Sequence, residues 1–335
     1  MSGLAMGHRA NLVIVKNGRY DLFYSHWAAN TLPQDLFWGP DLATAFIQIQ
    51  RQADESDWLD DVWAEGGAVL DQDHRTLVLF GGDDLAFDVP LRRLYLELLG
   101  KVWKGWHIRW AHEGIVDIAE YVGYPRNKVL STKSEPSWQC TLSPPQEESW
   151  TDIVGSVASV AGLRLFPLAG DVRSYLSCGP QLAEVAQTDS GLQQFDFSDK
   201  NRGFPTGGFH LDLTRKKVEY WVANPEPNLF QQLTGAWPDW SVTTHRDSFE
   251  FQLERVGPAL QFPVPSRTAL LDRVREILMW EPQKSPVETL LSLTDCNLPE
   301  VKEVEINPYA LRDDRITLSR NDKEVILEHA LAALG

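Results

Sequence analysis

Apolar and polar positions divide this chain into short strands and helices that recur in one order. Leu12 to Val15 and Tyr20 to Tyr24 flank Asn17-Gly18, a dipeptide whose two positions favour positive φ, so the segment predicts a β-hairpin. Gly39-Pro40 breaks the chain and opens a helix over 41–52, with apolar residues at Leu42, Ala45, Phe46 and Ile49. Gly66-Gly67 starts a second hairpin, running from Ala68–Asp71 to Thr76–Phe80. A helix over Leu91–Leu99 and strands over Trp103–Trp110 and Ile115–Tyr121 complete the run.

The same order returns. Trp38-Gly39-Pro40-Asp41-Leu42-Ala43 is answered by Cys178-Gly179-Pro180-Gln181-Leu182-Ala183, and Gly66-Gly67-Ala68-Val69-Leu70-Asp71 by Gly207-Gly208-Phe209-His210-Leu211-Asp212. Phe80 falls on Trp221, Trp103 and Trp106 fall on Trp237 and Trp240, and Ile108, Val122 and Gly123 meet Val242, Val256 and Gly257. The offset drops from 141 to 134 between these groups, as a seven-residue deletion in the second copy's helical region would produce. The expected fold class is therefore α+β: two tandem divergent copies of a hairpin–helix–hairpin–helix–strand unit, with a mainly helical C-terminal tail. The expected divisions are a first copy at 1–130, a linker at 131–149 rich in Ser, Pro and charge, a second copy at 150–258, and a tail at 259–335 that packs on the repeats. In the tail, Arg267–Trp280 has amphipathic helical spacing, Ile316–Leu318 suggests a strand, and Asn321 is placed to cap a closing helix.

Charge and cysteine usage narrow the functional classes. Lys+Arg 31 against Asp+Glu 47 leaves −16, which argues against a nucleic-acid binder and against adsorption to anionic membranes. Three widely spaced cysteines, Cys140, Cys178 and Cys296, suggest neither a zinc knuckle nor a disulfide framework. With no secretion signal and no apolar run of membrane-spanning length in the sequence, a cytoplasmic location is expected.

Features carried by both copies, the Gly-Gly openings and the Trp-x-x-Trp pairs, belong to the scaffold. Polar features of one copy are the functional candidates. Copy one alone carries Tyr24-Ser25-His26-Trp27, where an imidazole titrating near neutrality leaves a strand beside an aromatic face. It also carries Asp54, Glu55, Asp57, Trp58, Asp60, Asp61, Trp63 and Glu65, six acids and two tryptophans within twelve residues and no base. On a helix Asp57, Asp61 and Glu65 would share a face, a geometry for a docking surface or a divalent cation, though no ligand-spacing motif supports a metal. Arg109-Trp110-Ala111-His112-Glu113-Gly114 forms a third mixed cluster, with His112 aligned to Arg246, and is expected to share a rim with His26. No nucleophile elbow, Walker loop, zincin or kinase signature is present in the sequence.

The stretches Gly7-His8-Arg9-Ala10-Asn11, Tyr24-Ser25-His26-Trp27, Leu36-Phe37-Trp38-Gly39-Pro40 and Trp58 to Val69 resemble the N-terminal halves of a group of uncharacterised bacterial proteins, over roughly residues 6 to 124. No activity is attached to that group, so the resemblance implies no site. In type, an acidic chain without catalytic motifs also resembles the immunity proteins of bacterial toxin systems.

The first expectation is thus an immunity or antitoxin-type protein. It would occlude a cognate partner such as a basic toxin domain through Trp27 and the 54–63 segment, with no cofactor, no metal and no direct contact to nucleic acid or membrane. The second is a hydrolase or transferase with His26 as base, Glu65 or Asp61 as a further acid–base or metal-binding group, and Arg9 or Arg109 as an anion clamp. The third is a regulatory or ligand-sensing protein that uses the cleft between the copies.

Overall fold

The structure is a computed structural model, described here for residues 8–131, 139–143, 151–197, 203–281 and 318–334. It is a mixed α+β chain built on two main sheets. The first contains β1 (Ala10–Lys16), β2 (Arg19–Ser25), β3 (Arg51–Ala53), β4 (Gly66–Asp71), β5 (Thr76–Phe80) and β6 (His107–Trp110), in the order β3-β2-β1-β4-β5-β6. The second contains β7 (Ile153–Ser159), β8 (Gly162–Leu168), β10 (Gly207–Asp212), β11 (Lys217–Val222) and β12 (Ser241–Thr244), in the order β12-β11-β10-β7-β8. A separate parallel pair joins β9 (Phe195–Asp196) to β13 (Leu260–Gln261).

Strand directions agree over five positions, while β3, antiparallel to β2 at the edge of the first sheet, has no counterpart in the second. Each sheet starts from an antiparallel hairpin whose first strand runs parallel to the first strand of the second hairpin: Ala10 lies opposite Gly66, and Ile153 opposite Gly207. Each second hairpin pairs Gly67 with Phe80 or Gly208 with Trp221, and ends beside a parallel edge strand. The Gly-Gly openings serve close packing. A Cβ on Gly67 would lie 2.7 Å from the Phe80 ring, and one on Gly208 2.7 Å from the Trp221 indole nitrogen. Positive φ matters instead at Asn17 and Gly18 (54° and 68°), which close the first hairpin while the Asp73 carboxylate accepts both of their N–H groups.

Helices α1 (Ala28–Phe37), α2 (Pro40–Gln48), α3 (Asp83–Phe87), α4 (Val89–Val102) and α5 (Ile115–Tyr121) lie in the first half, and α6 (Val172–Leu176), α7 (Pro180–Thr188), α8 (Leu229–Ala236) and α9 (Glu250–Val256) in the second. The seven-residue difference falls where α3 and α4 face the shorter α8. Trp103 and Trp237 do the same work in the two halves: each is buried, meets its partner Trp106 or Trp240 edge-on at 4.9 or 4.8 Å, and donates its indole N–H to Leu36 O (2.9 Å) or Leu176 O (2.7 Å).

Several expectations are corrected. Ile115–Tyr121 is a helix, because Ile115, Val116, Ile118 and Ala119 form one buried face, and Gly114 at φ 57° turns the chain into it. A short β-branched run fits either element, and burial on one face decides. The strand expected from Trp103 begins only at His107, after a turn through Gly105. The 54–65 segment is not helical. It holds a single 3-10 turn at Glu55–Asp57, so Asp57, Asp61 and Glu65 share no helical face. Within the expected linker, Leu142 is fully buried in the second core, and a disulfide joins Cys140 to Cys178, contrary to the reading of the cysteines.

Of the tail, α10 (Arg267–Met279) and α11 (Arg320–Ala332) pack on the first core through Leu270, Val274, Leu278, Leu327 and Ala330. Ser319, not Asn321, caps α11 by accepting the Asp322 N–H. The strand expected at Ile316–Leu318 lies largely outside the described residues. No helix among the described residues is long and apolar enough to cross a membrane.

The halves meet along α4. Val89 enters the apolar cluster of Val154, Trp221 and Phe249, and the next turn supplies Arg92 and Arg93. Arg92 donates to Leu85 O, Ala86 O and Ala223 O and pairs with Asp247 at 2.8 Å, and Arg93 pairs with Glu250.

Candidate functional site

Beside this junction lies a cleft of about 480 Å³. One wall comes from the end of β6 and the turn after it (Arg109, Trp110, His112, Glu113) with Asp117 of α5. The other comes from β11, the start of α8 and the turn after β12 (Tyr220, Val222, Glu226, Leu229, Phe230, Thr244, Arg246). The turns are fixed by backbone contacts. Gly114 approaches so near the second half that a Cβ there would sit 3.1 Å from Pro225, and Glu226 N–H reaches His112 O at 3.3 Å. Arg246, at φ 54°, accepts the Val222 N–H at 2.7 Å and donates its own N–H to Thr244 Oγ1.

The electrostatics of the lining follow from burial. Burial lowers the His112 imidazole below its ordinary value, which keeps it neutral at pH 7. Burial raises Glu113 against the pull of Arg126 at 2.7 Å, and raises Glu226 against Arg173 at 2.7 Å. Burial also pushes the Tyr220 phenol up to about 12. Trp110 carries the Arg92 guanidinium over its ring at 4.7 Å, and its buried indole N–H has no hydrogen-bond partner among the described residues. Glu113, Asp117 and Glu120 bring carboxylate oxygens within 4.8 Å of one another, but Arg126 already bridges Glu113 and Glu120 and supplies the countercharge that a cation would bring.

The expected site residues are distributed differently. Arg109 lines the cleft, whereas His26 and Glu65 do not. His26 sits at the end of β2, where Tyr24 Oη lies 3.1 Å from its Nδ1 and the Trp27 ring packs edge-on at 5.0 Å. Glu65 accepts the Arg9 N–H at 2.8 Å, and Arg9 stacks over Trp63 at 4.7 Å. The rim expected to unite His26 with Arg109 and His112 is therefore two separate places.

Most of the acids at 54–61 hold their own loop. Asp54 caps the 3-10 turn through the Ser56 N–H, and Asp57 pairs with Arg51 at 3.0 Å. Asp60 accepts the N–H groups of Val62 and Trp63, and Asp61 accepts that of Ser131. Glu55 is exposed, and its carbonyl accepts the Tyr124 hydroxyl. Trp58 stacks on Tyr124 at 5.1 Å. Trp27, Val62 and Trp63 remain about half exposed. Fully buried Asn11 fastens this loop by accepting the Leu59 N–H at 2.7 Å.

No protein-family model, no curated protein and no solved structure matches the chain.

Proposed function

We propose that the protein is a ligand-sensing binding protein assembled from two divergent copies of one unit, with its ligand held in the cleft between them. The matching strand order, the paired registers and the like-placed tryptophans support the duplication. The observation that carries the functional reading is that His112 and Arg246, equivalent positions at the 134-residue offset, line one cavity from opposite halves. A ligand seated there touches both copies at once, so its binding is coupled to their relative placement. Native mass spectrometry of the full chain purified from its host tests this. A bound mass below that of a protein, lost when Phe230 at the cleft mouth is changed to Asp, supports the reading. A ligand-free chain, or a bound mass unaffected by F230D, contradicts it.

The surface around Trp27, Val62 and Trp63 favours a second reading, immunity-type capture of a basic toxin domain. These exposed apolar groups sit on a chain of net charge −16, which would speed encounter with a basic partner. Co-purification of a basic protein that is lost in Trp63→Ala distinguishes this reading from the first.

A further inference from the structure

The disulfide between Cys140 and Cys178 belongs to the second half alone. Cys178 follows α6, and its equivalent at the 140-residue offset is Trp38. Around both positions the unit folds alike. Leu36 O and Leu176 O accept the indole N–H groups of Trp103 and Trp237, and Gly39-Pro40 and Gly179-Pro180 each open a nine-residue helix. The first half contains no cysteine, so it makes this turn without a bridge. The bridge is therefore not what closes the turn in the second half. Disulfides that replace a missing core are a device of small domains, and this chain has two large cores.

What the bridge holds is a short strap. Residues 139–143 are also held by the Gln139 N–H, which donates to Ser174 O at 3.0 Å, and by Leu142, which is fully buried in the second core. Both cysteines are partly exposed, as exchange with an outside thiol requires.

Helix α6 links the strap to the cleft. Ser174 holds the strap, and its neighbour Arg173 donates to the Glu226 carboxylate at 2.7 Å, to Pro227 O at 2.9 Å and to Gln232. Glu226 lines the cleft. So does Leu229, which shares a buried cluster with Leu142, Tyr175 and Leu176.

We infer that Cys140–Cys178 is a reversible thiol–disulfide exchange site, a latch whose reduction by a dithiol protein frees the 139–143 strap and loosens the second wall of the cleft. A thiolate of the dithiol attacks one bridge sulfur, forming a mixed disulfide and releasing the other cysteine as a thiolate. The dithiol's second thiol then loses its proton and attacks the mixed disulfide, releasing the remaining cysteine. Two electrons and two protons pass to Cys140 and Cys178, and the dithiol leaves as a disulfide. Without the bridge Leu142 leaves the core, α6 loses its covalent tie, and the hold of Arg173 on 226–232 weakens. The latch stands on the bridge itself, and only its effect on a ligand rests on the cleft reading above.

The test uses the full oxidised chain, thioredoxin as the dithiol, and a thioredoxin with both active cysteines changed to serine as the control. Alkylation and mass spectrometry follow Cys140 and Cys178, and hydrogen exchange follows the backbone. The expected result is that thioredoxin, but not the control, opens the bridge in the folded chain. Exchange then speeds about ten-fold or more at 139–143, 172–178 and 226–233, and stays unchanged in β1 and β4. The double variant Cys140→Ala, Cys178→Ala should exchange fast at the same segments with or without thioredoxin. A bridge absent from the oxidised chain, or opened only in denaturant, overturns the latch. So does faster exchange confined to 139–143. Unfolding of the whole second half on reduction also overturns it, because the bridge is then a staple. None of these results bears on the cleft reading, which the mass measurement on host-purified protein decides.

Discussion

The buried guanidinium of Arg92 and the carboxylate of Asp247 lie 2.8 Å apart across the junction of the two halves, and the same guanidinium covers the ring of Trp110. One side chain therefore joins the halves and backs the wall of the cleft. Burial alone would raise the Asp247 carboxyl, but Arg92 beside it holds it below the usual carboxylate range. Three carbonyls, Leu85 O, Ala86 O and Ala223 O, take further N–H bonds from the same group. These contacts offset part of the desolvation of this arginine from both sides of the junction; burial still lowers it below its ordinary value, and its Nε has no hydrogen-bond partner among the described residues.

Breaking that clamp from one side leaves an uncompensated buried charge. Asp247→Asn, which keeps the shape but removes the countercharge to Arg92, is expected to cost about 3–5 kcal/mol in chemical denaturation. A loss below roughly 1 kcal/mol, the range of exposed pairs, would mean that the junction is open to water.

The like placement of Trp103 and Trp237 has its own consequence. Trp103→Phe and Trp237→Phe each orphan a buried carbonyl, Leu36 O or Leu176 O, and should destabilise to similar extents, about 1–3 kcal/mol each. Equilibrium unfolding of the two variants compares them. A large cost in one half and none in the other would show that the like-placed tryptophans do different work.

The scaffold was the legible part of the sequence, because it rests on local signals. Asn17-Gly18, Gly39-Pro40 and Gly66-Gly67 each mark a turn, a helix start or a close approach that short-range sterics require. Ile115–Tyr121 reads as a strand in sequence because seven residues with three β-branched side chains have no decisive period, and burial on one face is a tertiary fact. The 54–65 acids were overread for a related reason. A carboxylate that caps its own loop looks in sequence like one offered to a partner. The cleft was half visible, in the Arg109–Gly114 cluster and the alignment of His112 with Arg246, but the packing that brings the two turns together is long-range. The polar core of the second half went unseen: Gln252, fully buried, donates to Val154 O and Phe209 O and accepts from Trp221, where the aligned residue of the first half is Ile118.

Glu219 of β11 gives a pH dependence. Burial works to raise its carboxyl, but bonds from Lys217, Arg255 and His245 prevail and hold it at about 2 against an ordinary 4.5. A depressed acid contributes stability that is fully present above the unfolded value and lost as pH falls towards the folded one. The contribution, on the order of 3 kcal/mol, is therefore expected to fade between about pH 4.5 and pH 2. Acid unfolding of Glu219→Gln beside the parent chain checks this. The variant should be less stable at pH 7, and the difference should shrink across that window.

The Cys140–Cys178 bridge closes a separation of 38 residues and pins the segment at 139–143 to the turn between α6 and α7. By chain entropy a loop of that length stabilises by about 4 kcal/mol. Reduction, or Cys178→Ala, should lower the thermal midpoint by several degrees. An unchanged midpoint under reducing conditions would show that the bridge does not form in solution.

Hydrogen exchange of the full chain, with and without the low-molecular-mass filtrate of a lysate from its native host, tests the cleft most directly. The expected result is slowed exchange on both walls together, at residues 109–117 and at 220–231 with 244–246, and no change at 54–65. Exchange unchanged on both walls, or slowed only around Trp27 and Trp63 when the protein fraction of the lysate is added instead, would contradict a ligand held between the two halves.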